Sequence, residues 1–165
     1  MNQKKVLQTL NRIMEFELAG VVRYTHYALM VYGFNRIPIV KWMQQQAEES
    51  LTHAQRAGEL VTWLGGHPSL GIGPLLETAK HDIGDILQES LAHEKAALKE
   101  YETLLELAHG HDVRLEEYAR ELIAAEVAHQ DEVNKMLRRP GQTAVFSEVK
   151  TEGSKRVRRV ARRSR

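Results

Sequence analysis

The chain has 165 residues and a mass of 18.9 kDa, with 42% hydrophobic and 27% charged residues and a mean hydropathy of -0.43, the composition of one folded domain in water. It contains no cysteine, which excludes disulfide frameworks, thiolate zinc sites, iron–sulfur clusters and cysteine nucleophiles; any metal must be held by nitrogen and oxygen. The net charge of +1 conceals a split, since residues 1–140 carry 15 Lys and Arg against 20 Asp and Glu while residues 141–165 carry 8 against 2.

Helical periodicity without proline runs from about Lys4 to Tyr32. Its apolar residues Val6, Leu7, Leu10, Ile13 and Phe16 recur at helical spacing and form no continuous apolar run. That argues against a secretory leader, and the cytoplasm is the expected location. No segment approaches the roughly 18 apolar residues of a membrane span, so no membrane association is expected. A turn at Gly33 to Ile37 follows, with Pro38 placed as a first helical residue, and a second helix should run from Pro38 to about Leu64. Gly65-Gly66 and His67-Pro68 stop it, and a long connection rich in glycine continues to about residue 80. A third helix is expected from about Asp82 to Ala108. Gly110 breaks it, and Asp112 caps a fourth that reaches about Arg139 before Pro140-Gly141. Strand signals are nearly lacking. Two helical hairpins joined by a long connection describe an all-α, antiparallel four-helix bundle with one crossover over residues 1–140, followed by a basic tail over 141–165.

Equal counts from a hairpin loop mean equal heights in an antiparallel pair, at about 1.5 Å per residue. Glu17 lies 16 residues before Gly33 and His53 lies 16 after Ile37; Glu94 lies 16 before Gly110, and Glu126 and His129 lie 16 and 19 after it. These five side chains therefore share one layer. The separations Glu17 to His53, 36, and Glu94 to His129, 35, suggest a pseudo-twofold arrangement. Glu126 and His129 form Glu-x-x-His, a spacing that turns both groups to one helix face. Flanking Phe16, Leu18, Val21, Leu122, Ile123 and Val127 mark largely buried helices. Carboxylates and imidazoles buried together are expensive without a cation, and mixed oxygen and nitrogen donors suit iron, manganese or zinc.

These residues resemble the bacterioferritins, within the ferritin-like di-iron proteins. The resemblance spans residues 1–140 and is carried by Phe16-Glu17-Leu18-Ala19-Gly20 with Tyr24 seven residues on, Thr52-His53-Ala54-Gln55-Arg56, Leu91-Ala92-His93-Glu94 and Glu126-Val127-Ala128-His129. It implies that Glu17 and Glu94 are terminal ligands, that Glu126 bridges, that His53 and His129 bind one metal each, and that Tyr24 stands close by. It further implies oxidation of ferrous iron by dioxygen or peroxide and storage of ferric mineral in a hollow shell of 24 copies. Two positions depart from the family. Ser50 stands where a second bridging glutamate is expected; Glu49 is next to it but about 100° around the helix, so a bulge or shift is expected if it is to substitute. Otherwise Glu49 matches an acidic residue of the family's inner shell surface, whose usual histidine partner is here Gln45. Leu51 replaces the methionine that ligates haem, so no methionine-ligated haem is expected.

Among the other residues, Met14, Met30, Met43 and Trp42 read as packing. His93 is expected to point to another face, toward solvent or a neighbouring subunit, and His67, His81, His109 and His111 lie in or near loops. Residues 144–152 match the family's short fifth helix, and the basic tail 150–165 reads as solvated, as a nucleic-acid arm or as a protein-partner segment. Alternatives to homo-oligomeric storage are a catalytically weakened subunit of a mixed shell, a storage protein that protects DNA through its tail, and a manganese catalase or oxygenase on the same bundle.

Overall fold

A computed structural model describes residues 1–76 and 78–146 of the chain. Four helices carry the fold: α1 (Gln3–Met30), α2 (Arg36–Trp63), α3 (Ile83–Ala108) and α4 (Val113–Met136). Each lies within three residues of its expected bounds. The two hairpins, the single long connection and the absence of strands among the described residues match the expected all-α bundle.

Capping sets the helix starts. Asn2, Asp82 and Asp112 each accept a hydrogen bond from a backbone N–H of the following first turn, satisfying donors that the helix cannot satisfy itself. Pro38 sits as the third helical residue of α2, not the first, because the helix begins at Arg36; its missing N–H costs nothing anywhere in that turn.

α1 packs on α2, α3 packs on α4, and α1 packs on α3. The start of α1 meets the end of α2, where the Gln3 side-chain amide donates to the Leu64 carbonyl at 2.8 Å. The connection then travels back along α1: Asn11 donates to the His67 carbonyl at 3.2 Å, Gly73 N–H donates to the Glu15 carbonyl at 2.8 Å, and the His81 ring lies 3.0 Å from the Met30 carbonyl. α3 therefore starts at the end where α2 starts, and the two run parallel. A Cβ on Gly73 would lie 3.0 Å from the Glu15 carbonyl oxygen, so the close crossing requires glycine.

Two apolar clusters bracket a polar layer. One contains Leu10, Ile13, Ala57, Leu60, Tyr101, Leu104, Leu115 and Leu122; the other contains Tyr24, Tyr27, Met30, Met43 and Ile86. On every helix the bracketed position is polar: Glu17 on α1, Ser50 and His53 on α2, Glu94 on α3 and Glu126 on α4, all buried. Val127 faces outward at 52% exposure, contrary to its expected burial, since it lies one residue and about 100° from Glu126. The proposed fifth helix, 144–152, is described only to Phe146, which is not helical, and the basic tail 150–165 lies outside the described residues.

Candidate metal centre

Helical spacing explains which side chains reach the layer. On α1, Ile13, Glu17 and Tyr24 share a stripe; on α3, Ser90, Glu94 and Tyr101 do so; on α4, Leu122, Glu126, His129 and Val133 do so. On α2 the stripe is Gln46, Glu49, Ser50 and His53.

The five expected ligands come together. His53 Nδ1 lies 3.5 Å from Glu17 Oε1 and 3.7 Å from Glu126 Oε1. One donor atom from each of Glu17, His53 and Glu126 lies within 4.8 Å of the others, and the same holds for Glu94, Glu126 and His129. Glu126 belongs to both triads, the position a bridging carboxylate needs. The space between them is about 10 Å³, room for no more than about one water-sized sphere.

Burial dominates the electrostatics. It pushes the Glu126 carboxyl up to about 11, with further help from its hydrogen bond to Glu94 and from the charges of Glu94, Glu17 and Glu49. Without a cation this carboxyl holds a proton at neutral pH, and a divalent ion would displace it. Two buried phenols close the layer from opposite sides. The Tyr24 hydroxyl donates to Glu94 Oε1, and the Tyr101 hydroxyl donates to Glu17 Oε1 at 2.6 Å. Burial, reinforced by these carboxylates, raises both phenols well above their ordinary range. Carboxylates and imidazoles in two triads with a shared member fit a pair of divalent transition-metal ions.

Two placements differ from expectation. Glu49 reaches the site with no bulge in α2: its Oε2 lies 3.2 Å from His129 Nε2 and its Oε1 4.0 Å from His53 Nε2. The i,i+4 relation to His53 already puts it on the same stripe, and its side chain remains 40% exposed, so it closes the layer from the solvent side. His93 does not point to solvent. It is buried, its ring stands 5.9 Å from that of Phe16, and it lines the cavity. Burial lowers it to about 4, which keeps the imidazole neutral. Ser50 is buried beside Gly20, where an added Cβ would lie 2.7 Å from the serine oxygen. Leu51 is 43% exposed in a groove between α1 and α2, and Gln45 is exposed away from the cavity. Trp42 packs edge-on against Tyr24 at 6.0 Å, and Met14, Met30 and Met43 are buried, in agreement with packing roles.

Sequence reasoning passed over Tyr101, Gln46 and the inward face of His93. The signal for Tyr101 was available, because it follows Glu94 by seven residues as Tyr24 follows Glu17. A shift of 77 carries Glu17 to Glu94, Tyr24 to Tyr101 and Phe16 to His93; a shift of 76 carries His53 to His129, Trp42 to Tyr118 and Ser50 to Glu126. The pseudo-twofold thus relates the terminal glutamates, the histidines and the tyrosines, and it fails where Ser50 answers to Glu126 and Glu49 to Ala125.

A family model for the ferritin-like domain matches residues 7–141. Among solved structures the chain is similar to a ferritin-like, diiron-carboxylate protein from Bacillus anthracis strain Ames, with a TM-score of 0.78 and 23% identity over 82% of this chain and 97% of that one. At that identity the likeness shows the fold. No protein with a curated description matches by sequence. Four helices in this order, a carboxylate and histidine layer at their centre and a family match across nearly all of them lead to one conclusion: the chain belongs to the ferritin-like domain family.

Proposed function

We propose that this chain is a haem-free relative of the bacterioferritins that oxidises ferrous iron within its bundle and stores the ferric product in a shell of many copies, expected to be 24, in the cytoplasm. The observation that carries this reading is the sharing of Glu126 between the two triads. Ferrous iron is the substrate. Glu17 and His53 would hold one ion, Glu94 and His129 the other, and Glu126 would join them after giving up its proton. Glu49, lying against both histidines, supplies a fourth carboxylate in place of the one missing at Ser50, so that four negative charges balance two divalent ions. Dioxygen or peroxide supplies the oxidant. Leu51 offers no donor atom, which excludes a methionine-ligated haem at that position.

Oxidation and assembly are testable together. Native protein mixed anaerobically with ferrous iron and then with air should form ferric iron faster than a buffer blank, and should sediment as a shell many times the 18.9 kDa of one chain. A monomer no faster than the blank would overturn the reading. Ser50 favours a second reading, a catalytically weakened subunit in a mixed shell. Under that reading Ser50→Glu raises iron oxidation sharply; under the first, the rate stays near that of the native chain because Glu49 already fills the role.

A further inference from the structure

Outside the ligand layer, one charged side chain is buried without an opposite charge against it. Arg23 on α1 is 8% exposed, and a guanidinium keeps its charge at every pH a protein survives. Its Nη2 donates to the Tyr27 hydroxyl at 3.0 Å and to the Glu89 carbonyl at 3.2 Å, whereas Nε has no hydrogen-bond partner among the described residues. The Glu89 carboxylate, buried nearby, is engaged elsewhere: it accepts from Thr78 Oγ1 at 2.8 Å and from the Tyr27 hydroxyl at 3.2 Å, and it lies 3.7 Å from Lys80 Nζ. No carboxylate oxygen comes within 4.0 Å of Arg23 among the described residues. A buried cation and an unsatisfied N–H both carry a free-energy cost that an anionic acceptor would relieve.

Arg23 also lines two open grooves beneath the crossover. One, of about 420 Å³, runs between α1 and α3 past Phe16, Ala92 and Ala96; the other, of about 390 Å³, follows α1 past Val22 and Tyr27. Arg23, Leu75 and Leu76 line both, so the guanidinium stands where the two adjoin, under a pair of half-exposed leucines. Lys80, also half-exposed, brings a second cation to the first groove. Asp85 lines that groove too, but it sits in the first turn of α3, where the helix N-terminus offsets its charge. Apolar walls around a few charged groups, at this volume, are the make-up of a small-molecule site.

We propose that this cleft binds a small organic carboxylate with an apolar, ring-sized body. The carboxylate is the counter-ion that Arg23 lacks, with Lys80 beside it, and the body displaces water from Phe16, Leu75 and Leu76. A bare inorganic anion would leave those walls wet. A neutral apolar molecule would seal the guanidinium from water with no partner, so charge and body must arrive together. Neither Arg23 nor Lys80 belongs to the ligand layer, and the site stands whether or not the chain oxidises iron.

The test is fluorescence titration of the native, metal-free protein with naphthoate, set against naphthamide, which lacks the charge, and acetate, which lacks the body. One naphthoate per chain should bind, at least about tenfold more tightly than naphthamide, and acetate should not displace it at equal concentration. Arg23→Gln should weaken naphthoate by about tenfold or more while leaving naphthamide within about twofold, and Lys80→Gln should weaken naphthoate by roughly two- to fivefold, as a half-exposed cation would. Leu75→Asp places a repelling charge at the half-exposed lip; it should abolish naphthoate binding with Tm unchanged, and it carries the test if Arg23→Gln does not fold. No saturable binding of naphthoate, equal affinity for naphthoate and naphthamide, or undiminished binding in either Arg23→Gln or Leu75→Asp would overturn the proposal.

Discussion

Replacing Glu126 by glutamine separates a metal centre from a structural ion pair. Glu126 is 4% exposed and lies 3.7 Å from His53 Nδ1. If the two formed a buried ion pair that holds the bundle together, removing the charge would strand the imidazolium and cost about 3–5 kcal/mol. In a protein of this length, where 1 kcal/mol moves Tm by about 2–4 °C, that is a fall of roughly 6–20 °C. The raised carboxyl argues the opposite. Glu126 is already neutral when no metal is bound, and glutamine keeps its volume and can donate to Glu94 as the acid does, so the metal-free loss should stay within about 1 kcal/mol, or about 4 °C at most. Metal should then expose the defect. A cation at a hundredfold excess over its Kd adds about 2.7 kcal/mol to the native chain, roughly 5–11 °C. The variant, which lacks the member shared by both triads, should lose most of that rise. Thermal melts with and without anaerobic ferrous iron measure both quantities. A metal-free fall beyond about 10 °C together with an intact metal-induced rise would refute the reasoning.

The same carboxyl predicts a pH dependence. Its pKa in the folded chain is raised from 4.5 to about 11, so its stabilising contribution is complete below about 4.5 and drains as pH rises. The metal-free Tm should fall between pH 5 and pH 9, and bound metal should flatten the curve; a metal-free Tm that climbs over that range would contradict the shift. Affinity for the first ferrous ion should strengthen by about tenfold per pH unit, because that ion displaces the single Glu126 proton, while the second should show no such slope from this carboxyl; titrations at three pH values measure both. Glu49→Gln should weaken the second ferrous site by about 10- to 100-fold while leaving metal-free melting nearly unchanged, as expected for a half-exposed ligand. Gly20→Ala should destabilise the chain by about 1–3 kcal/mol in denaturant melts, because its Cβ would lie 2.7 Å from the Ser50 oxygen, and Ser50→Gly in the same chain should recover most of the loss.

The fold was legible because each hairpin is bounded by turn residues and each helix keeps its period through 24 to 28 residues. The level placement of Glu17, His53, Glu94, Glu126 and His129 followed from the same counting, since an antiparallel pair converts distance from a loop into height. Rotation about the helix axis was harder to read. Glu49 and His93 each sit one residue from a layer member, and a step of about 100° around an ideal helix points them away from it. Glu49 is nevertheless within reach because it is four residues from His53, and its long side chain extends to 3.2 Å from His129 Nε2. His93 stays inside because α1 and α3 pack closely there and Gly20 leaves space for its ring: the imidazole Nε2 lies 3.5 Å from where a Cβ would be. Such contacts depend on how near two helices approach, a quantity that no single helix's periodicity contains. Tyr101 is less legible for a different reason, since a tyrosine on an apolar helix face reads as core, and only its spacing of seven from Glu94, equal to that of Tyr24 from Glu17, marks it.

The most direct test of the central claim is anaerobic titration of the native chain with ferrous iron, counting tight sites before oxygen is admitted. Two sites per chain are predicted, one for each triad, with Glu126 common to both and Glu49 completing the charge. A single site, or none, would contradict a dinuclear centre and leave Ser50 as the mark of a degraded one.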